Sequence, residues 1–208
     1  MNPTTRGPAP ELLQRFGSEI TRDYVAKRAL KPNHDFDWPQ REGRSLRIEI
    51  REALAEMTQR HCSYCDRFPM DSPSVEQIDH FKPKSWPAFY ELVCNWENLF
   101  FTCSGCNNAK LATWEPALLR PDDAEFAFDR YFEYRADTGE IKPNQAASDD
   151  DQHRANRTIE LLKLNRPGLC IDRAKAAKNY PRLPSDELAD WGFRFLIPIC
   201  RDEPTVQQ

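Results

Sequence analysis

In residues 45–60, SLRIEIREALAEMTQR, the apolar positions Leu46, Ile50, Leu54 and Met57 recur at helical spacing. That period predicts an amphipathic helix with one face on the core. The stretch His153–Leu164 sets Ala155, Ile159 and Leu162 on one side and predicts a second such helix, preceded by a polar loop over 144–152 (NQAASDDDQ). Residues 125–141 follow another rhythm: Phe126, Phe128, Phe132 and Tyr134 alternate, and Asp137-Thr138-Gly139 is a turn signal, so a β-hairpin is expected. Short strands are expected over Val75–His80 and Leu99–Thr102, with a helix starting in Ser104–Lys110. Near the end, Ser185 reads as the N-cap of a helix through DELADWGFRFLI. Residues 1–44 are rich in proline and charge and predict an irregular arm with one short helix around Glu11–Ala29.

Composition narrows the class. Of the 208 residues, 39% are hydrophobic and 30% charged, with no apolar run near the roughly 20 residues a membrane span needs. The opening MNPTTRGPAPELLQRF has no apolar core of the kind a signal peptide carries, so a cytoplasmic location without membrane contact is expected. The net charge of -4 is unlike that of a generic nucleic-acid binder. Any affinity for DNA or RNA must therefore come from a local patch, a metal or a partner. One window is basic: 153–182 carries Arg154, Arg157, Lys163, Arg166, Arg173, Lys175, Lys178 and Arg182 against two acids. It reads equally as a solvated helical face or as a surface that tracks phosphates, with Arg154 and Arg157 as candidates.

Seven cysteines change the picture further. Cys62/Cys65 and Cys103/Cys106 form two C-x-x-C pairs, while Cys94, Cys170 and Cys200 stand alone and read as small buried hydrophobes. A C-x-x-C turn lets both sulfurs reach one ion, and two turns complete a tetrahedral four-cysteine site whose usual occupant is structural zinc. His61 could replace its neighbour Cys62, but two complete pairs already fill four positions.

Between the pairs lie QIDHFKP (77–83) and NWENLF (95–100), and the second pair itself reads CSGCNNAK (103–110). Asp79-His80 with Pro83, Asn98-Leu99, and Cys103-x-x-Cys106-Asn107-x-x-Lys110 resemble an HNH endonuclease of the ββα-metal type. The resemblance extends to CSYCD, IDHFKPKS, NWENL and RANRTIELLKLN (154–165), which look like the HNH subunits, the PtuB proteins, of Septu and retron-associated anti-phage systems. The resemblance implies an α+β fold with a ββα-metal HNH core and four-cysteine zinc knuckles, flanked by helices and a hairpin. Residues 1–44 would be an arm and 45–120 the nuclease core with its leading helix. Residues 121–208 would be a C-terminal hairpin and helical region offering a partner or nucleic-acid surface.

Phosphodiester hydrolysis needs a base for water and a cation for the phosphate charge. The resemblance assigns the base to His80 and a ligand of a catalytic Mg²⁺ or Mn²⁺ to Asp79, with Asn98 holding the loop that aims His80. Asn107 (or Asn108, since CNNAK offers both) would be the second oxygen ligand, Lys110 would touch phosphate, and Lys82 and Lys84 would help hold it. Each alone is bland: an exposed carboxylate, a turn asparagine, a solvated lysine. The implied activity is metal-dependent cleavage of DNA beside a PtuA-like ATPase. The alternatives are an RNA nuclease acting on tRNA and a non-catalytic zinc-knuckle adaptor. Trp191, Phe193 and Phe195 are expected as core, or else as an exposed anchor for the ATPase.

Overall fold

The computed structural model describes residues 1–70 and 76–201, so Val75 of the expected first strand lies outside them. The N-terminal region is more ordered than its composition suggests. Helix α1 (Glu11–Leu30) runs 20 residues, with Leu13, Gly17, Ile20 and Tyr24 buried along one face. It stops at Lys31, which is extended because the next residue is Pro32. A Cβ at Gly17 would sit 3.5 Å from the Cys94 Cβ, so the glycine lets α1 lie close to the Val93–Cys94 turn. A tight hairpin, β1 (Gln40–Arg41) and β2 (Arg44–Ser45), leads into α2 (Leu46–Met57). There Leu46, Ile50 and Leu54 are fully buried, as the spacing predicts.

Strands β3 (Glu76–His80) and β4 (Leu99–Cys103) pair antiparallel, with Asp79 opposite Phe100 and His80 opposite Leu99. Every residue of β4 is buried, between α2 on one side and α3 (Ser104–Lys110) beyond its end. Two short 3-10 helices, Pro87–Leu92 and Trp96–Asn98, fill the connection between the strands. The result is a strand, a loop, a strand and a helix in sequence.

The C-terminal half departs from the expected pattern in three places. The alternating aromatics do not make one long hairpin: Phe128–Tyr131 is a helical turn, α4, and only β5 (Phe132–Tyr134) and β6 (Ile141–Pro143) pair. The turn falls where expected, with Gly139 at φ +73°. A side chain there would also strike the Cys170 carbonyl, since its Cβ would lie 2.1 Å from that oxygen. Helix α5 (Asp149–Leu161) begins earlier than its apolar face, inside the expected polar loop. The Ser148 hydroxyl accepts from the Asp151 N–H, and Asp149, Asp150 and Asp151 suit the positive end of the helix dipole. Helix α6 (Pro167–Asn179) has proline in its first turn and an indistinct apolar period.

The expected helix from Ser185 is broken. Ser185–Asp190 is a 3-10 turn capped by no side chain, and α7 (Leu196–Arg201) starts afresh. The break is made by tertiary contact. A Cβ on Gly192 would lie 2.7 Å from the Phe68 backbone nitrogen. Phe193, at φ +68°, donates its N–H to the Asp66 carbonyl at 2.6 Å, and Arg194 binds the Asp66 carboxylate at 2.6 Å. Phe193 and Phe195 are core, the latter stacked on Phe128 at 4.2 Å, and Trp191 is half-buried against the core. The three aromatics therefore form no exposed anchor.

Candidate functional site

The first cysteine pair lies on the loop after α2, and the second spans the junction of β4 and α3. The Ser63 N–H donates to the Phe101 carbonyl at 2.8 Å, stitching the loop to β4. All four Sγ atoms lie within 4.8 Å of one another, and Cys65 and Cys103 are 3.8 Å apart. A tetrahedral ion with bonds of about 2.3 Å sets its sulfurs about 3.8 Å apart, so the cluster fits a metal such as zinc. Burial, helped by hydrogen bonds with the neighbouring sulfurs, pushes the Cys62 thiol well above its usual range. Four thiolates at this spot therefore need a cation. His61 is not part of the set: its ring faces the carbonyls of Gln59 and Trp191 and stacks on Phe68.

Arg166 completes this centre and was not singled out by sequence. Its guanidinium reaches the Cys106 Sγ at 3.5 Å and the Cys103 Sγ at 3.7 Å. Gly105 makes room, since a Cβ there would fall 2.9 Å from Arg166 Nη2. A four-thiolate site with a divalent ion carries net negative charge, which Arg166 offsets. The available signal was the arginine just before Pro167, but nothing local says that the α5–α6 turn lies over the cysteines.

The second centre sits at the end of β3. Asp79, His80, Pro83, Lys84, Ser85 and Asn107 line a cavity of about 390 Å³, while Asn108 is exposed outside it. Asp79 and His80 are neighbours on a strand, yet both reach the cavity because His80 is the strand's last residue. His80 Nε2 lies 2.9 Å from the Val93 carbonyl, which requires the proton on Nε2 and leaves the lone pair on Nδ1. The imidazole stacks on Trp38 at 5.9 Å and 10°, with Phe36 edge-on at 6.1 Å. The N-terminal region thus walls the imidazole. Burial, with smaller contributions from Lys84 and Lys110, lowers the His80 pKa to about 4, so the ring is neutral at neutral pH.

Asn98 clamps the loop after β3. Its Oδ1 accepts from the Lys82 N–H at 2.8 Å, and its Nδ2 donates to the carbonyls of Lys82 and Leu92. Asp79 accepts from the Tyr64 hydroxyl at 2.6 Å and from Lys110 at 3.0 Å. Burial pushes its carboxyl above the usual range, against the opposing pull of Lys110 and Tyr64. A carboxylate offers about four lone-pair sites, so Asp79 retains capacity toward the cavity. Lys110 corrects an expectation. It is fully buried, its ammonium divided between Asp79 and the His80 carbonyl at 2.7 Å, and it braces the site from within instead of facing a phosphate.

The remaining basic candidates separate into two groups. Lys84 lines the cavity, and Lys82 sits beside it with its ammonium over the rings of Phe89 and Trp114. Arg154 and Arg157 line a different cavity, with Glu115 and His153. Arg157 binds the Glu115 carboxylate through two nitrogens at 2.7 and 3.0 Å, and Arg154 packs on Tyr131. Arg173, in the same basic window, is 1% exposed and bonds the Gly139 and Leu164 carbonyls. Much of that positive charge is spent inside the protein. Of the lone cysteines, Cys94 and Cys170 are buried and Cys200 is partly exposed.

No family model matches the chain. It is similar to the Septu protein PtuB of Bacillus mycoides (strain KBAB4), with 24% identity over 160 residues, 62% of this chain and 51% of that protein. It is also similar to the Septu protein PtuB of Bacillus thuringiensis, with 36% identity over 61 residues, 29% of this chain and 23% of that protein. The chain thus spans about half the length of the first relative and less of the second. No described helix is long and apolar enough to cross a membrane.

Proposed function

We propose that this chain is the nuclease component of a Septu-type anti-phage defence system. In this reading it is a metal-dependent endonuclease of HNH type that cuts DNA in the cytoplasm beside a PtuA-like ATPase. The defence role draws on the similarity to two proteins named Septu protein PtuB. The catalytic role draws on one observation above all: Asp79, His80 and Asn107 line a single cavity, and the His80 tautomer is set by Val93. An adaptor has no use for a neutral imidazole with its lone pair reserved on Nδ1.

In the proposed reaction, His80 Nδ1 takes a proton from a water as its oxygen bonds to the phosphorus, and the bond to the leaving deoxyribose oxygen breaks, that oxygen taking its proton from solvent water. Nε2–H···O=C to Val93 keeps the ring oriented throughout. Asn98 holds the loop in place. Asp79 and Asn107 are oxygen donors suited to Mg²⁺ or Mn²⁺, which when bound offsets charge on the phosphate. Two protein oxygens would suit such an ion, since Mg²⁺ is commonly held by only one or two protein oxygens. Lys110 opposes the burial that raises the Asp79 carboxyl and holds it in position. Cys62, Cys65, Cys103 and Cys106 would hold a metal such as zinc, which would tie the loop after α2 to the β4–α3 junction.

The test is cleavage of plasmid DNA and of tRNA, with and without Mg²⁺ or Mn²⁺, alone and with the ATPase. His80→Ala should lose at least a hundredfold in rate while keeping its fold and its cysteine-bound metal. Equal rates for His80→Ala and wild type would remove the base assignment, and cutting of tRNA alone would move the substrate to RNA.

A further inference from the structure

Among the described residues, large exposed hydrophobic side chains include Leu30, Ile48, Trp86, Leu111 and Ile171, and only Trp86 of these is aromatic. The Trp86 indole is 39% exposed, which leaves part of a large flat apolar ring open to a ligand. Trp86 is also held firmly. Its N–H donates to the Pro83 carbonyl at 3.1 Å, and its own carbonyl accepts from the Phe89 N–H at 2.8 Å. One face of the ring lies parallel to Phe89 at 5.7 Å and 13°, and Phe89 in turn meets Trp114 edge-on at 5.0 Å. The Lys82 ammonium sits over Phe89 at 5.5 Å and Trp114 at 5.2 Å, so the aromatic stack carries a positive charge. The turn that bears Trp86 is the one whose Pro83, Lys84 and Ser85 line the cavity of Asp79 and His80. Among the described residues, Lys84 has a loose ion pair there, 3.7 Å from an Asp35 whose side chain is 98% exposed.

We infer that Trp86 is a stacking platform for an unpaired nucleobase next to the phosphate held in the His80 cavity. The inference rests on the nuclease reading and deepens it: the preferred substrate is single-stranded or locally unpaired nucleic acid. A duplex buries its base faces within its own stack, so a flat aromatic shelf gains little from it. A single strand offers a π-face at each nucleotide, and aromatic rings with nearby cations bind it with little regard for sequence. The short, fixed turn from cavity to indole sets the platform at a neighbouring nucleotide. A protein partner would also cover an indole, but it would not explain one lysine over the aromatic stack and another two residues on in the cavity lining.

The probes are a short fluorescein-labelled single-stranded oligonucleotide and a blunt duplex of the same sequence. Anisotropy is read on metal-loaded full-length His80→Ala protein, with and without Trp86→Ala or Trp86→Phe. Trp86→Ala should weaken single-strand binding about tenfold or more, Trp86→Phe should retain most of it, and duplex binding should stay as it was. Thermal unfolding and cysteine-bound metal should be unchanged in both variants. Unchanged single-strand binding in Trp86→Ala, equal loss on both probes, or loss only of ATPase binding would overturn the platform. In the His80-intact protein, wild-type cutting of gapped DNA by Trp86→Ala would overturn it while leaving the nuclease standing. If the parent protein cuts nothing but loses single-strand binding with Trp86→Ala, the platform stands and the nuclease reading falls.

Discussion

Replacing Lys110 with methionine removes the ammonium but keeps most of the side-chain volume. The structure sets the size of the effect. Lys110 is wholly buried and makes three contacts: 3.0 and 3.2 Å to the two Asp79 oxygens and 2.7 Å to the His80 carbonyl. Without it, Asp79 keeps the Tyr64 hydroxyl as its described side-chain donor, in a site 5% exposed. Removing one partner of a buried ion pair costs about 3–5 kcal/mol, mostly from the charge left behind. For a domain of this size, that lowers Tm by roughly 10 °C. Because the cost lies in the stranded carboxylate, Asp79→Asn added to Lys110→Met should restore about half of it or more. The measurement is urea unfolding of zinc-saturated wild type, both single variants and the double variant, followed by far-UV circular dichroism. A Lys110→Met loss under 1 kcal/mol would mean water replaces the ammonium and the pair is no brace. An additive double variant would show that the Lys110–Asp79 contact is not the source of the loss.

Cys106→Ser should release the cluster's metal and lower stability sharply, read by metal content and thermal unfolding; a metal-loaded, fully stable variant would remove the structural role. Arg166→Ala should leave all four sulfurs in place yet weaken metal affinity about tenfold, measured by chelator competition, and affinity equal to wild type would refute the guanidinium's part. The His80 imidazole, held by burial at about 4 against an ordinary value near 6.5, gives a pH dependence of definite sign. Between those values the unfolded chain binds the proton and the folded one does not, so stability rises with pH across about 4 to 6.5. The full contribution, about 3 kcal/mol, is present above 6.5 and is lost as pH falls toward 4. His80→Gln should flatten that slope in urea unfolding with no catalytic divalent ion added, and an unchanged slope would assign the titration to another group.

Local spacing along the chain accounts for several parts of this fold. The Leu46, Ile50 and Leu54 face makes α2, and Asp137-Thr138-Gly139 makes the β5–β6 turn. Each C-x-x-C turn positions its own two sulfurs, and the bond from Ser63 to Phe101 sets the first turn beside the second. Asp79, His80 and Asn107 are grouped by the resemblance, and they line one cavity because a strand end and a short helix after its partner strand leave little freedom.

Contacts between distant segments set the rest. Ser185 looked like a helix cap, but Asp66, held by its own loop, captures the backbone of Phe193 and the side chain of Arg194 and breaks the helix. Lys110 looked like a surface cation on a helix, and only the fold shows that its turn faces inward to Asp79. Arg166 is one basic residue among eight until the α5–α6 turn lies over Cys103 and Cys106. Trp38 and Phe36, from the region with the least readable pattern, end against His80. Periodicity reports which face of an element is apolar, whereas the partner of a charge or a ring is set by which faces finally meet.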